Sequence, residues 1–367
     1  MNRRDALKLA IAGTGSLFAP TLFAGTQALH PEVLYSASDN DIGQHQLSLL
    51  ELSSQRAKHF AIPFRAHDIL PMPHSQQVLA FGRRPQMQCV MVNVDDSGLM
   101  GEIDATQGRH FFGHGCLSHD KSTLFTTESE YDEARGVIGI RDSKTLEHLG
   151  EFESYGVGPH DIHLMPDAKT LVVANGGIET HPDYGRRKLN LDTMQPSLVY
   201  IDVTSGKKVD EYRLEDHQLS IRHLTVSDKG DVGVATQFQG KLSERQPYTL
   251  VAWQQSGGDL TPLSIPKALT QSLKGYIADI AYDPIDHVLA VTAPRGNQVL
   301  LWDLVSEQLI RQIDVKEPSG ISFHGDTFLI SNAKGEVLSL NPRLKSDTLS
   351  SLFYDQNIAW DNHLIIT

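Results

Sequence analysis

The chain has 367 residues, of which 40% are hydrophobic and 21% charged, and its 45 acidic and 32 basic side chains give a formal net charge of −13. That balance argues against a nucleic-acid backbone or an anionic membrane as the main partner. Two cysteines are too few for a disulfide scaffold or a four-cysteine zinc site, whereas the 17 histidines are unusually many.

The N-terminal segment is similar to an export signal. Arg3 and Arg4 precede a modest apolar run from Leu9 to Gly25, an arrangement typical of twin-arginine signal peptides. We therefore expect residues 1–28 to be a signal peptide, residues 29–367 to form a single domain, and the mature protein to reside in the periplasm. An N-terminal anchor or a buried helix is the alternative interpretation of this segment.

One pattern returns along the rest of the chain. A short apolar strand is followed by a turn with Asp or Gly, a second strand, a polar loop and a third strand, as in HDIHLMPD (160–167) followed by TLVVA (170–174). The copies begin near residues 67, 114, 160, 221, 277, 319 and 356, which lie 37 to 61 residues apart. Because a four-stranded propeller blade occupies roughly 40–50 residues, the repeat predicts an all-β propeller.

The two ends of the chain each supply part of a blade. Residues 356–367 form an inner strand with no complete blade after it, and residues 32–64 form outer strands with no inner strand before them. Pairing the termini completes one blade and leaves no open sheet edge. The sequence therefore predicts a seven-bladed β-propeller closed by its N- and C-terminal strands.

Four histidines lie near the starts of the predicted inner strands of four consecutive blades: His67, His114, His160 and His223. In a propeller these positions surround one mouth of the central channel. Imidazole nitrogens from several strands can hold a transition metal at about 2.0–2.1 Å, so the four are candidate metal ligands. Strand-tying hydrogen bonds and general acid–base catalysis are the alternatives.

The loops from second to third strands return to the same mouth. The longest of them spans residues 176–190. Five cations are expected near this mouth: Arg83 and Arg84 in one loop, and Arg186, Arg187 and Lys188 in the longest loop. The full set of candidate ligand-binding residues is Arg83, Arg84, Glu128, Arg135, Glu179, His181, Arg186, Arg187, Lys188, Asn190 and Arg222. A cationic mouth on an acidic protein suits an anionic or metal-bearing ligand.

Several unusual runs carry a resemblance to a known family. VANGGIETHPD (173–183), GRRKLNLDTMQPSL (185–198) and SIRHL (220–224) resemble the bacterial family catalogued as domain of unknown function 1513. The resemblance implies exported, propeller-like proteins, often encoded beside imelysin-type iron-regulated proteins. It supplies no catalytic residues to carry over to this chain. The inner-strand pattern resembles, more loosely, quinoprotein and nitrous-oxide-reductase-type propellers; in the latter, central histidines hold copper. Iron and copper are thus the candidate metals.

Three functions remain open from the sequence. The preferred one is an exported propeller that binds iron or a haem-like species at its histidine- and arginine-lined mouth, in periplasmic iron handling. A metal-dependent oxidoreductase or lactonase-like hydrolase would use the same mouth. The third is an interaction platform for an imelysin-type partner.

Overall fold

The computed structural model describes residues 32–367, apart from residues 74, 85, 96–97, 248 and 345–347. The predicted signal peptide, residues 1–28, lies outside the described residues. The described residues form seven antiparallel sheets, and in six of them four consecutive strands of the chain lie side by side. The seven-bladed propeller predicted from the repeat is confirmed.

The strands follow one another blade by blade. The N-terminal strands of the closing blade are β1 (Val33–Asn40), β2 (His45–Glu51) and β3 (Arg56–Ala61). Blade 1 contains β4 (Ala66–Pro71), β5 (Gln77–Gly82), β6 (Gln88–Asn93) and β7 (Gly98–Asp104). Blade 2 contains β8 (Arg109–Leu117), β9 (Thr123–Glu130), β10 (Arg135–Asp142) and β11 (His148–Glu153). Blade 3 contains β12 (Pro159–Leu164), β13 (Thr170–Asn175), β14 (Ser197–Asp202) and β15 (Lys208–Tyr212).

The remaining blades complete the ring. Blade 4 contains β16 (Leu219–Val226), β17 (Val232–Phe238), β18 (Val251–Gln254) and β19 (Leu260–Pro262). Blade 5 contains β20 (Asp279–Asp283), β21 (Val288–Ala293), β22 (Gln298–Asp303) and β23 (Gln308–Asp314). Blade 6 contains β24 (Pro318–His324), β25 (Thr327–Asn332), β26 (Glu336–Leu340) and β27 (Ser350–Tyr354). The C-terminal strands are β28 (Ile358–Trp360) and β29 (Ile365–Ile366), and the described helices are a 3-10 turn (Pro182–Tyr184) and α1 (Lys267–Ser272).

The closing blade joins the two ends of the described chain. Both C-terminal strands pair antiparallel with β1, β28 through Ser38 opposite Trp360 and β29 through Leu34 opposite Ile366. Together β28 and β29 occupy the inner position, and β1, β2 and β3 follow outward. This pairing satisfies the backbone groups that an inner edge would otherwise expose.

The hydrophobic core lies between adjacent blades. Each sheet packs on a neighbour through both faces, which is why a central strand such as β21 is a continuous apolar run that is buried throughout. Trp302 of blade 5 is fully buried and donates its indole N–H to the carbonyl oxygen of Ser264, just after β19 in blade 4, at 3.3 Å. Such contacts fix each blade relative to the next.

Candidate metal centre

Four histidines from four consecutive blades meet where the inner strands surround the channel. His67, His114, His160 and His223 each offer a ring nitrogen, and these atoms all lie within 4.8 Å of one another. All four side chains are buried. The structure thus brings together the four histidines that the sequence singled out.

The inner strands change register where they carry these histidines. The shifts lie between Ala66 and Ile69, Phe111 and Gly115, Pro159 and Asp161, and Ile221 and His223. A bulge leaves a residue out of the ladder and re-aims its side chain. The longer, bulged strands correct one expectation: His114 and His223 lie inside β8 and β16 rather than at their starts.

A glycine in β8 leaves room for the ring of His67. Gly113 has a φ of 111°, and a Cβ on it would lie 2.6 Å from Cδ2 of His67. Any other residue would be strained there and would displace the His67 ring. The sequence of β8 therefore serves the neighbouring blade's histidine as well as its own.

A fifth histidine belongs to the same cluster, and sequence reasoning missed it. The ring centroid of His363 lies 4.3 Å from that of His223, 4.8 Å from that of His114 and 5.0 Å from that of His67. It lies between β28 and β29 with a φ of 70°, an uncommon conformation for a residue with a side chain. The signal was present, because His363 ends the last copy of the repeat, QNIAWDNH (356–363).

Carboxylates surround the histidines as a second layer. Nδ1 of His114 lies 3.2 Å from Asp68 and 3.4 Å from Asp161, and Nδ1 of His363 lies 3.1 Å from Asp279. Two of these carboxylates also tie blades together. Asp161 accepts from the backbone N–H of Leu224, and Asp279 from that of Ile321, each at 2.8 Å. A carboxylate on Nδ1 fixes the ring and leaves Nε2 for a ligand, as in carboxylate–histidine–metal triads.

Burial and mutual proximity set the charge of the cluster. Burial, reinforced by cationic neighbours and other imidazoles, lowers the pKa of His67, His160 and His223 well below 6.5. Burial also opposes the charge on His363, but the hydrogen bond to Asp279 and the negative charges of Asp279, Asp68 and Asp161 together outweigh burial and raise the pKa of His363 to about 9. The lowered pKa values keep His67, His160 and His223 neutral, which is the form that binds metals.

The ring nitrogens of the clustered histidines fit a metal ion in their free valences and in their spacing. Nε2 of His114, Nε2 of His363 and Nδ1 of His223 are buried and lack a hydrogen-bond partner, and such orphaned polar atoms are rare in folded proteins. Nε2 of His67 lies 3.1 Å from Nε2 of His160. This is a hydrogen bond, and its length is close to the separation of about 3.3 Å between two nitrogens bound tetrahedrally to one ion at 2.0–2.1 Å. A metal ion would replace the shared proton.

A cationic group adjoins the histidines. Nη1 of Arg222 lies 3.4 Å from Nδ1 of His160, and Arg84 faces the ring of Phe112, with its guanidinium carbon 5.8 Å from the ring centroid. Burial, with the charges of neighbouring arginines, lowers the pKa of Arg84 to about 9. Burial and the same kind of repulsion lower the pKa of Lys188 to about 8.

Side-chain hydrogen bonds hold the long insertion of blade 3, residues 176–190, in place. Asn190 accepts from the backbone N–H of Glu179 at 2.8 Å and donates to the carbonyl of Gly177 at 2.9 Å. His181 caps the 3-10 turn and lies 3.1 Å from Asp132. These three predicted ligand residues have structural contacts within the loops.

Three further cations were predicted at the mouth: Arg83, Arg186 and Arg187. Arg83 lies 3.4 Å from the carboxylate of Asp361. Arg186 lies at the surface. Partial desolvation of its guanidinium, together with the positive charges of Arg83 and Arg65, lowers its pKa. Arg187 is exposed as well. Arg83 and Arg186 thus belong electrostatically to the cationic group.

Glu128 and Arg135 correct the predicted loop boundaries. Both were placed in a loop from second to third strand, but Glu128 lies within β9 and Arg135 begins β10. Glu128 is completely buried and bonds Arg141 at 3.1 Å. Arg135 pairs instead with Glu130 and Glu151 at 2.6 and 3.1 Å. The structure does not bring either of them to the histidines.

Comparison with solved structures supports the fold. The hydrazine synthase of Kuenenia stuttgartiensis is similar over 85% of this chain and 90% of that one, with a TM-score of 0.62 and 15% sequence identity. At that identity the likeness shows the fold alone. No curated protein matches the sequence. No helix among the described residues is long and apolar enough to cross a membrane.

The family assignment covers the blades that hold the centre. The family described as "Protein of unknown function (DUF1513)" matches residues 60–367, a span that runs from the end of β3 to the end of the chain and includes all five clustered histidines. The chain belongs to this family.

Proposed function

We propose that the protein binds one transition-metal ion through His67, His114, His160 and His223. The observation that carries the proposal is the convergence of four buried imidazoles whose ligand atoms lie within 4.8 Å of one another. Two nitrogens on one ion are at most about 4.2 Å apart, so an ion held by all four would draw the most distant of these atoms closer together.

The donor set indicates the kind of ion. Imidazole suits iron, copper, zinc and nickel, whereas magnesium and calcium prefer oxygen ligands. Asp68, Asp161 and Asp279 offset the charge of a divalent ion from behind the histidines. Iron and copper remain the candidates, and a redox-active ion in this buried centre would supply electron transfer or Lewis-acid chemistry.

The cellular role is part of the proposal. Arg3 and Arg4 ahead of an apolar run support export through the twin-arginine route, which carries folded proteins and allows a metal to be inserted first. Periplasmic iron handling, with an imelysin-type partner, is the role most consistent with export to the periplasm. A metal-dependent enzyme is the second candidate, supported by the arginine next to His160, which could hold an anionic substrate at the metal.

Calorimetric titration tests the proposal. Iron(II), under anaerobic conditions, and copper(II) are titrated into the metal-free mature protein, a His160→Ala variant and a His119→Ala control, whose histidine lies exposed in a turn. We expect one ion per chain for the wild type and the control, and at least 100-fold weaker binding for His160→Ala. Identical isotherms for all three proteins would discard the histidine centre.

A further inference from the structure

Two buried arginines beside the histidines have no acidic partner. Arg84 and Arg222 are 8% and 7% exposed, and Nη1 of Arg84 and Nε of Arg222 are buried without a hydrogen-bond partner. In the part of the chain that the structure describes, neither guanidinium forms an ion pair with a carboxylate, and the nearby Asp361 pairs with Arg65 and Arg83. A buried charge is normally paired, because leaving water costs it several kcal/mol.

We propose that Arg84 and Arg222 bind a small oxyanion, a carboxylate or a tetrahedral anion such as phosphate, directly beside the histidine cluster. The planar guanidinium fork matches the paired oxygens of both kinds of anion. An anion between the two side chains would satisfy the orphaned N–H groups and relieve their mutual repulsion. Lys188, whose ammonium contacts Gln239, adds a third positive charge to the same group.

The entrance to this site is cationic as well. Arg186 is exposed on the blade 3 insertion and is electrostatically coupled to Arg83 and to Arg84. The rest of the protein is acidic, with a net charge of −13. A local positive potential on an acidic protein steers small anions to one place and repels them elsewhere.

The anion site is linked to the metal site through His160, and this step rests on the proposed function. Nδ1 of His160 lies 3.4 Å from Nη1 of Arg222, which can only donate, so the imidazole accepts and its proton is on Nε2. A metal on Nε2 would move that proton to Nδ1. Arg222 would then lose its acceptor and turn to the anion, so metal and anion should each strengthen the binding of the other.

Anion titration of metal-free protein tests the site by itself. Sulfate and acetate, a tetrahedral and a planar oxyanion, are titrated into chelator-treated wild type, Arg84→Met, Arg222→Met and the control Arg343→Met, whose arginine pairs with Asp286 on the surface. We expect the wild type and the control to bind sulfate, acetate or both, and each buried-arginine variant to bind at least 10-fold more weakly. The preferred anion identifies the ligand class.

Thermal melts separate this role from a structural one. We expect anion-free Arg84→Met and Arg222→Met to melt at or above the wild-type temperature, because each loses an unpaired buried charge, and to lose the stabilisation that the anion gives the wild type. Equal binding by all four proteins, or binding by none, would overturn the site. If either variant fails to fold, Lys188→Met, at a half-buried position, should bind several-fold more weakly; unchanged binding would contradict the proposal.

The link to the metal has its own readout. Sulfate affinity is measured again after loading with copper(II), and we expect it to increase at least fivefold in the wild type. Unchanged affinity would overturn the His160 link. Anion binding without any metal binding would contradict the proposed function and leave the anion site intact. Metal binding without anion binding would contradict the anion site and leave the proposed function intact.

Discussion

Two groups of buried arginines in this propeller differ in one respect, the presence of an acidic partner. In blade 2, Arg141 bonds Glu128 at 3.1 Å, and Arg109 lies 3.9 Å from Glu128 and 2.6 Å from Glu151. Beside the histidines, Arg84 and Arg222 are about as buried, but neither pairs with a carboxylate among the residues that the structure describes. Both groups keep buried atoms without a hydrogen-bond partner, such as Nη1 of Arg109 and Nη1 of Arg84. The first group nevertheless has its counter-charge within the fold. The second has none among the described residues, and an anion from solution would supply it.

Removing the acid from the complete group should have the largest effect on stability. Glu128→Gln would leave two buried guanidinium groups without their shared charge, and we expect the free energy of unfolding to fall by about 3–5 kcal/mol. Urea denaturation measures it. Glu147→Gln, at an exposed turn position, is the control and should unfold like the wild type. A loss below about 1 kcal/mol would remove the contrast between the two groups.

Acid should destabilise the metal-free fold through the buried histidines. His67, His160 and His223 have lowered pKa values in the fold, so the unfolded chain, with histidine near 6.5, binds more protons. Metal-free stability should therefore be lost as pH falls below 6.5, by up to about 1.4 kcal/mol per pH unit for each histidine.

His363 should act in the opposite direction. Although burial opposes its charge, Asp279, Asp68 and Asp161 raise its pKa to about 9. The stability that it contributes is therefore fully present below pH 6.5 and is lost as pH rises from 6.5 through about 9. Together the two effects place maximum stability near pH 6.5. Thermal melts of chelator-treated protein from pH 5 to 10 measure the profile, and a stability that is flat between pH 5 and 6.5 would contradict the buried neutral imidazoles.

The carboxylate layer should affect metal binding more than folding. Asp68→Asn removes the charge 3.2 Å from Nδ1 of His114, and we expect metal affinity to fall 10- to 100-fold. Asp95→Asn, at an exposed turn, is the matched control. Calorimetry measures both. Unchanged affinity in Asp68→Asn would mean that this carboxylate does not orient the ligand.

The smallest effect on the free energy of unfolding is expected at Arg84, which has no carboxylate partner among the described residues. Arg84→Met should change the free energy of unfolding of the anion-free protein by less than about 1 kcal/mol, or increase it, because no pair is broken. The same denaturation experiment that measures Glu128→Gln supplies the comparison. A loss of about 3 kcal/mol would show that Arg84 has a structural partner after all.

The sequence predicted the fold and most of the histidine cluster for one reason, the repeat. His67, His114, His160 and His223 occur in recognisable copies of it, and the topology of a propeller brings equivalent positions together. His363 was missed because it follows its short inner strand, and its left-handed backbone turns it towards the others.

The arginine networks were harder to predict. Glu128 and its neighbours were read as a loop because they are polar, yet β9 continues through Glu130 and buries Glu128 against Arg141. Whether an arginine has a carboxylate partner depends on contacts between distant residues, such as Arg83 with Asp361. Spacing along the chain does not encode those contacts.

X-ray absorption spectroscopy of the metal-loaded protein tests the central claim most directly. For copper(II)- or iron(II)-loaded wild type, we predict a first shell dominated by nitrogen at about 2.0–2.1 Å with the outer-shell pattern of at least three imidazoles, and loss of one imidazole in His160→Ala. A first shell of oxygen alone, or a spectrum that His160→Ala leaves unchanged, would contradict the account.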